Sequence, residues 1–405
     1  RKEEEGMLHR QVHRWTFLVT WSLLAAWAGQ GPMVFAQATK EAKAAKSANS
    51  PQEALGVYSD AANFQNNGAF DLAAEEWEKF LKKFPQDPLA AKAQHYLGVC
   101  NLQLKQLDKA AAAFAAVVKN HPNFELIQDA YLNLGWCQYS LGGQKVEGAY
   151  AQAAATFADM VKKFPDGKHT EQALFYAGEA EYNLGKKKEA VAAYDQLIKK
   201  YPQSALRSDA LYALGVTHEE LGQHADAGQA YDLFLKEFAS HELANEVQMR
   251  KAETVLQAGD FAAAEKMFGD VAKLAGLASV DHALYRQAFC LSKLDKFAEA
   301  AALYARIPTE FAQSPYVADA AMSAGRCYYR TEQFPEAAQW FQKVVDGSSN
   351  GRIEAAHWLC RIYLRDKKPQ QAIELAKQVL PKAGDDPFAV NLEMDLADAL
   401  YESAN

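Results

Sequence analysis

Five cysteines and ten histidines carry the most reactive side chains of this 405-residue chain. Their spacing decides which chemistry is open to them. His218-Glu219 followed by His224 brings together two zinc-binding imidazoles and a carboxylate that could act as a base. A hydrolytic zinc helix needs its histidines four residues apart on one face, with the glutamate between them. Here they stand six apart, with Gly222 ending a predicted helix between them, so no metal is expected. Gly167-Lys168-His169-Thr170 offers the lysine and hydroxyl of a phosphate loop but lacks the upstream glycine, and it reads as a turn. The chain contains no G-x-S-x-G, no C-x-x-C and no paired-carboxylate constellation. These patterns predict no catalytic residue, no cofactor and no enzyme.

The elements that would have to position such groups are set by a repeat. Ala73, Ala110, Ala153, Ala190, Ala227, Ala264, Ala300, Ala337 and Ala372 recur mostly at steps of 36 or 37 residues. In eight cases a ring follows four residues later: Trp77, Phe114, Phe157, Tyr194, Tyr231, Phe268, Tyr304 and Phe341. A period in this range predicts stacked helical hairpins. With the recurring alanine set as position 20, position 8 is always small (Gly98, Gly135 and Gly178 among others) and position 27 is always apolar. Position 15 is glycine in five units, Gly68, Gly142, Gly185, Gly222 and Gly259, as a left-handed helix end prefers. Lys105, Asp295, Glu332 and Lys367 take that place elsewhere, at a conformational cost. Pro85, Pro122, Pro165 and Pro202 stop the second helix of the first four units. The third unit carries six extra residues near Gly142–Glu147, read as a tolerated surface insertion or as a partner-specific protrusion.

These positions resemble the tetratricopeptide repeat, with Leu97-Gly98, Leu134-Gly135 and Leu214-Gly215 matching its first pair and Tyr328 and Tyr363 its ring at position 11. The resemblance implies an all-α, right-handed α-solenoid of about nine hairpins plus a tenth first helix. Units fall near 54–90, 91–127, 128–170, 171–207, 208–244, 245–280, 281–317, 318–352 and 353–389, with a partial one at 390–405. A first helix with no partner hairpin carries the expectation that the natural protein continues past Asn405. The spacers, such as Tyr201-Pro202-Gln203-Ser204, look like those of bacterial envelope proteins, for example the periplasmic Tol-Pal coordinator and the outer-membrane assembly lipoprotein.

Residues 1–38 have a basic start at Arg10 and Arg14, an apolar stretch from Trp15 to Trp27, and Ala36-Gln37-Ala38. This is the pattern of a secretory signal peptide, cut between Ala38 and Thr39. Met7 is then a natural start, with residues 1–6 upstream of it. The alternative, a retained membrane anchor, would need about 20 uninterrupted apolar residues. Residues 39–53, rich in Ala, Lys and Ser, read as a flexible linker, leaving 54–405 for the solenoid. Localisation is therefore expected to be the periplasm or cell envelope of a bacterium. Cys100, Cys137, Cys290 and Cys327 share position 10, and Cys360 lies at position 8. Equivalent positions of neighbouring hairpins stand about 8–10 Å apart, too far for disulfides. All five read as buried small hydrophobes.

In this repeat family the first helices line the concave face, and the resemblance implies that positions 2, 5, 9 and 12 point into it. The predicted partner groove is Trp136, Tyr139, Phe175, Glu179, Tyr182, Tyr212, Glu253, Tyr285, Phe289, Arg326, Tyr329 and Arg361. Acidic groups cluster in units four to six and Arg326, Arg330, Arg361 and Arg365 in units eight and nine. The net charge of −8, with no basic run longer than Lys186-Lys187-Lys188, speaks against nucleic acid. The resulting expectation is an exported protein-protein interaction scaffold that binds a peptide or protein partner in envelope assembly or maintenance. The alternative is a non-catalytic module of a larger envelope enzyme or secretion machine.

Overall fold

The computed structural model describes residues 51–274, 279–347 and 351–404. The expected signal peptide and most of the linker lie outside these residues. Among the described residues there are nineteen α-helices and no strand. They form two compact units, one reaching Leu221 and one beginning at Gly222. The first unit holds α1 (Gln52–Asn66), α2 (Phe70–Lys83), α3 (Ala90–Gln103), α4 (Leu107–Asn120), α5 (Ile127–Gly143), α6 (Ala149–Lys163), α7 (Thr170–Asn183), α8 (Lys187–Lys200) and α9 (Arg207–Glu220). The second holds α10 (His224–Glu237), α11 (Ala244–Gln257), α12 (Phe261–Val271), α13 (Val280–Lys293), α14 (Phe297–Glu310), α15 (Val317–Arg330), α16 (Phe334–Asp346), α17 (Arg352–Arg365), α18 (Pro369–Val379) and α19 (Ala389–Ala404). Within each unit every helix packs on the next, so each is a stretch of α-solenoid.

The turns form as their sequence demands. Gly68, Gly185, Gly222 and Gly259 have positive φ, and Lys105, Asp295, Glu332 and Lys367 adopt the same left-handed backbone at φ of 58–59°. After α3, Lys105 N–H donates to Leu102 O and Gln106 N–H to Asn101 O, the paired bonds that close a Schellman end. The third hairpin departs from expectation. Gly142 stays helical inside α5, and the left-handed residues are Lys145 and Gly148. The insertion therefore prolongs the first helix before the chain turns. Gly142 has its own reason to lack a side chain, since a Cβ there would lie 2.6 Å from the Tyr150 ring.

The hairpin cores follow one scheme. Phe114, Phe157, Tyr194 and Phe341, all at position 24, lie on Gly98, Gly135, Gly178 and Gly325 of their own first helices. On the other side Phe157 stacks on Tyr176 of the next hairpin, centroids 5.9 Å apart, and Phe341 on Trp358 at 6.4 Å. One ring thus binds its own hairpin and the next one together. The five cysteines are buried and unpaired, as their register predicts. Burial raises their thiol pKa values to about 12 for Cys100, Cys137, Cys290 and Cys360 and about 11 for Cys327.

Candidate partner-binding face

Position 5 of the first helices belongs to the core. Tyr58, His95, Leu132, Phe175, Met249 and Met322 are all buried. Phe175, expected on an open groove, is 2% exposed and packs against Tyr176 at 5.5 Å and Tyr194 at 6.1 Å. The reason is geometric: this side chain points at the second helix of its own hairpin, where the position 24 ring lies. Tyr212 and Tyr285 hold the same register and are half-buried, with Tyr285 stacked on Tyr316 at 5.0 Å.

Position 9 is nearer the surface, and its charges are largely spent between hairpins. Glu253 on α11 is 9% exposed, so it too leaves the open face. Its carboxylate meets His282 Nε2 at 3.1 Å and Arg286 Nε at 2.9 Å, both on α13. Burial opposes ionisation of Glu253, but His282 and Arg286 together outweigh it and hold the carboxyl below its ordinary range. Arg326 on α15 pairs in the same register with Glu354 on α17, through Nε at 2.9 Å and Nη2 at 2.5 Å. In both cases position 9 of one hairpin reaches position 2 of the next.

Glu179 on α7 is the exception. It is half-buried, and its oxygens accept from Tyr194 Oη at 2.6 Å and Tyr139 Oη at 3.3 Å. Burial pushes its carboxyl above the usual range, the two hydroxyls restrain that rise, and the charge of Asp209 adds to it. Tyr139 also meets Tyr150 at 5.4 Å and Tyr176 at 5.8 Å. Tyr182 donates to Glu220 at 2.7 Å, and Lys187 pairs with the same carboxylate at 3.0 Å. Trp136 is half-buried one helical turn before Ser140 on α5.

In the second unit the expected residues sit in a ladder that the register alone did not reveal. Arg330 at position 13 of α15 lies over Phe297, and Arg365 at position 13 of α17 lies 3.6 Å from the Phe334 centroid. Lys293, at the same position of α13, covers Phe289 at 5.2 Å. Cations over ring faces are held by the ring quadrupole. Tyr329 fits between Phe334 at 5.3 Å and Trp358 at 5.0 Å. Arg326, Arg330, Arg361 and Arg365 are exposed, one turn apart on each of α15 and α17, and Arg361 makes no ion pair among the described residues. The recurrence of a cation at position 13 and a phenylalanine at position 17 was the available signal.

No group of three or more His, Cys, Asp or Glu able to hold a metal occurs among the described residues, and no helix there is long and apolar enough to cross a membrane. No curated protein matches the chain in sequence. Similar solved structures include a tetratricopeptide repeat protein from Parabacteroides merdae, 17% identical over 68% of this chain and 98% of its own, with a TM-score of 0.40. The apo form of RapI is 12% identical over 78% of this chain and 98% of its own, TM-score 0.46. MamA from Desulfovibrio magneticus, from residue 41 on, is 14% identical over 47% of this chain and 98% of its own, TM-score 0.38. One profile described as the tetratricopeptide repeat matches residues 129–167, 172–204, 209–241 and 282–314, and a second of that description matches 61–125 and 311–352. With the small-residue and ring positions packed as that repeat requires, and profile matches over more than half its length, the chain belongs to the tetratricopeptide-repeat family.

Proposed function

We propose that this chain is an exported, non-enzymatic scaffold that holds a peptide or protein partner against the outer faces of its first helices, in assembly or maintenance of the cell envelope. The observation that carries the reading is the exposed set Arg326, Arg330, Arg361 and Arg365. Arg326 is already paired with Glu354 and Arg365 with Asp366, while Arg330 and Arg361 make no ion pair among the described residues, and these two favour an acidic segment of a partner. Arginine is also enriched at protein interfaces, where its planar fork binds carboxylates in two places at once. Export is supported by the leader pattern in residues 1–38.

The test is crosslinking and mass spectrometry in native envelope, comparing the parent with the triple variant Arg330→Glu, Arg361→Glu, Arg365→Glu. Arg361 makes no ion pair among the described residues, so Arg361→Glu alone should leave the melting temperature close to that of the parent, and the triple variant, which also gives up the Arg330–Phe297 and Arg365–Phe334 contacts, is compared with that single variant. A partner crosslinked to the parent should be lost from the variant. The same partners at the same yield would defeat the assignment of this face. Recovery of the chain with cytoplasmic markers on fractionation would defeat the export reading.

A further inference from the structure

We infer that Glu179 forms the floor of a receptor for an arginine side chain carried by the partner, a reading that rests on the first-helix face being the binding face. The argument comes from comparing one position in two hairpins of the same molecule. Glu179 and Glu253 both occupy position 9 of a first helix. At Glu253 the next hairpin supplies His282 at position 2 and Arg286 at position 6, and both touch the carboxylate. At Glu179 the same two places are filled by Asp209 and Ala213. One is a second negative charge, and the other is a methyl group where the equivalent hairpin has a guanidinium.

Glu179 therefore keeps a partly desolvated carboxylate with two tyrosine hydroxyls for partners and no cation among the described residues. Each carboxylate oxygen accepts one of those bonds and has a further lone pair free for a second donor. A guanidinium matches that arrangement, since its fork donates to both oxygens of one carboxylate. The surrounding rings suit the same ligand. Tyr139, Tyr150 and Tyr176 crowd together at 5.4–5.8 Å beside the carboxylate, and aromatic faces attract a desolvated cation. The insertion in the third hairpin takes part, because the lengthened α5 sets Gly142 under the Tyr150 ring. Glu179 is half-buried, where Glu253 is buried against Arg286 and His282.

The experiment uses the full chain labelled with 3-fluorotyrosine, followed by fluorine NMR. The probe is N-acetyl-arginine amide, with N-acetyl-citrulline amide as the neutral isostere. The Tyr139 and Tyr194 signals, assigned by Tyr→Phe variants, should shift saturably with the arginine probe and not with citrulline. Glu179→Gln removes the charge and keeps an acceptor oxygen for one of the two hydroxyls, with its NH2 donating to the other tyrosine oxygen, and it should weaken binding about tenfold or more, the worth of a hydrogen bond to a charged group. Ala213→Arg should supply the cation from within, remove the response to the probe and raise the melting temperature. Equal shifts with citrulline, or an unchanged response in Glu179→Gln, would overturn the receptor. Either result would leave the scaffold reading intact, because that reading is judged by partner crosslinking and by the arginines of the second unit.

Discussion

Gly98 and Phe114 offer a direct test of the packing scheme. A Cβ on Gly98 would stand 2.7 Å from Phe114 Cε1, 2.8 Å from Cζ and 2.9 Å from Cδ1. Carbon pairs prefer about 3.5–4.0 Å, so the ring would have to move by close to an ångström. It has nowhere to go, being fully buried with His95 edge-on at 5.6 Å. Gly98→Ala gains about 1 kcal/mol of helix propensity and loses about 1–3 kcal/mol to overpacking, so the parent should be destabilised by up to about 2 kcal/mol. Phe114→Ala removes the ring and should cost roughly 3–5 kcal/mol. In that background the Cβ meets no ring, and Gly98→Ala should then stabilise by about 1 kcal/mol. The glycine substitution changes sign, and the two sites couple by about 1–3 kcal/mol. Repeat arrays unfold piecemeal, so the measurement is native-state hydrogen exchange of amides in α3 and α4 rather than one global melt. Additivity within about 0.5 kcal/mol would mean that the ring does not rest on the glycine.

Three further outcomes are expected. His95 is buried among Tyr96, Phe114 and Phe124, and burial lowers its pKa from 6.5 to about 4. Between those values the unfolded chain binds a proton that the folded chain refuses, so stability is full above pH 6.5 and falls, on the order of 3 kcal/mol, as pH drops toward 4. Hydrogen exchange of α3 across that range should show the loss, and His95→Leu should abolish it. Lys105→Gly and Lys367→Gly relieve left-handed backbone at φ of 59° and should each stabilise by about 1 kcal/mol in urea titrations, and a loss would show that those side chains hold the turn by contacts of their own. The native chain at pH 8 should resist iodoacetamide at all five cysteines and take up five labels once denatured, because thiols raised to about 11–12 present little thiolate; rapid native labelling or bridged pairs would contradict their burial.

Helices, turns and core rings could be read from residue types because each is governed by near neighbours. A small residue at position 8 and a ring at 24 carry their meaning wherever they recur, and left-handed Lys105 could be placed from Gly68 and Gly185 alone. The face of the first helix could not be read that way. Positions 5 and 9 lie one turn apart on a single helical stripe, yet Phe175 goes inward against the Tyr194 ring while Arg361 stays out. The fate of the charges was hidden for a related reason. Glu253 finds its cation 33 residues on and Arg326 its carboxylate 28 residues on, and periodicity does not specify side-chain identity at such distances. The insertion misled in the opposite direction. Gly142 has the residue type of a helix end, yet its lack of a Cβ serves Tyr150, and the turn moves to Lys145.

A repeat supplies its own controls, since it holds different side chains on nearly the same backbone. Position 9 carries Ala62, Val99, Trp136, Glu179, Val216, Glu253, Phe289, Arg326 and Arg361 in successive units. Where a valine stands there, the place contributes only packing. Where Glu253 and Arg326 stand, each is matched by an opposite charge on the following hairpin, so the desolvation of one ion is offset within the fold. A charge left half-buried without such a match is costly to keep. Among the described residues Glu179 and Arg361 lack the opposite charge that Glu253 and Arg326 have, and one of them is already partly withdrawn from water. A partner of complementary charge would gain at these two positions what Glu253 and Arg326 have already obtained internally. Binding energy should therefore concentrate at the unmatched members of position 9, and charge substitutions at the matched ones should register in stability instead.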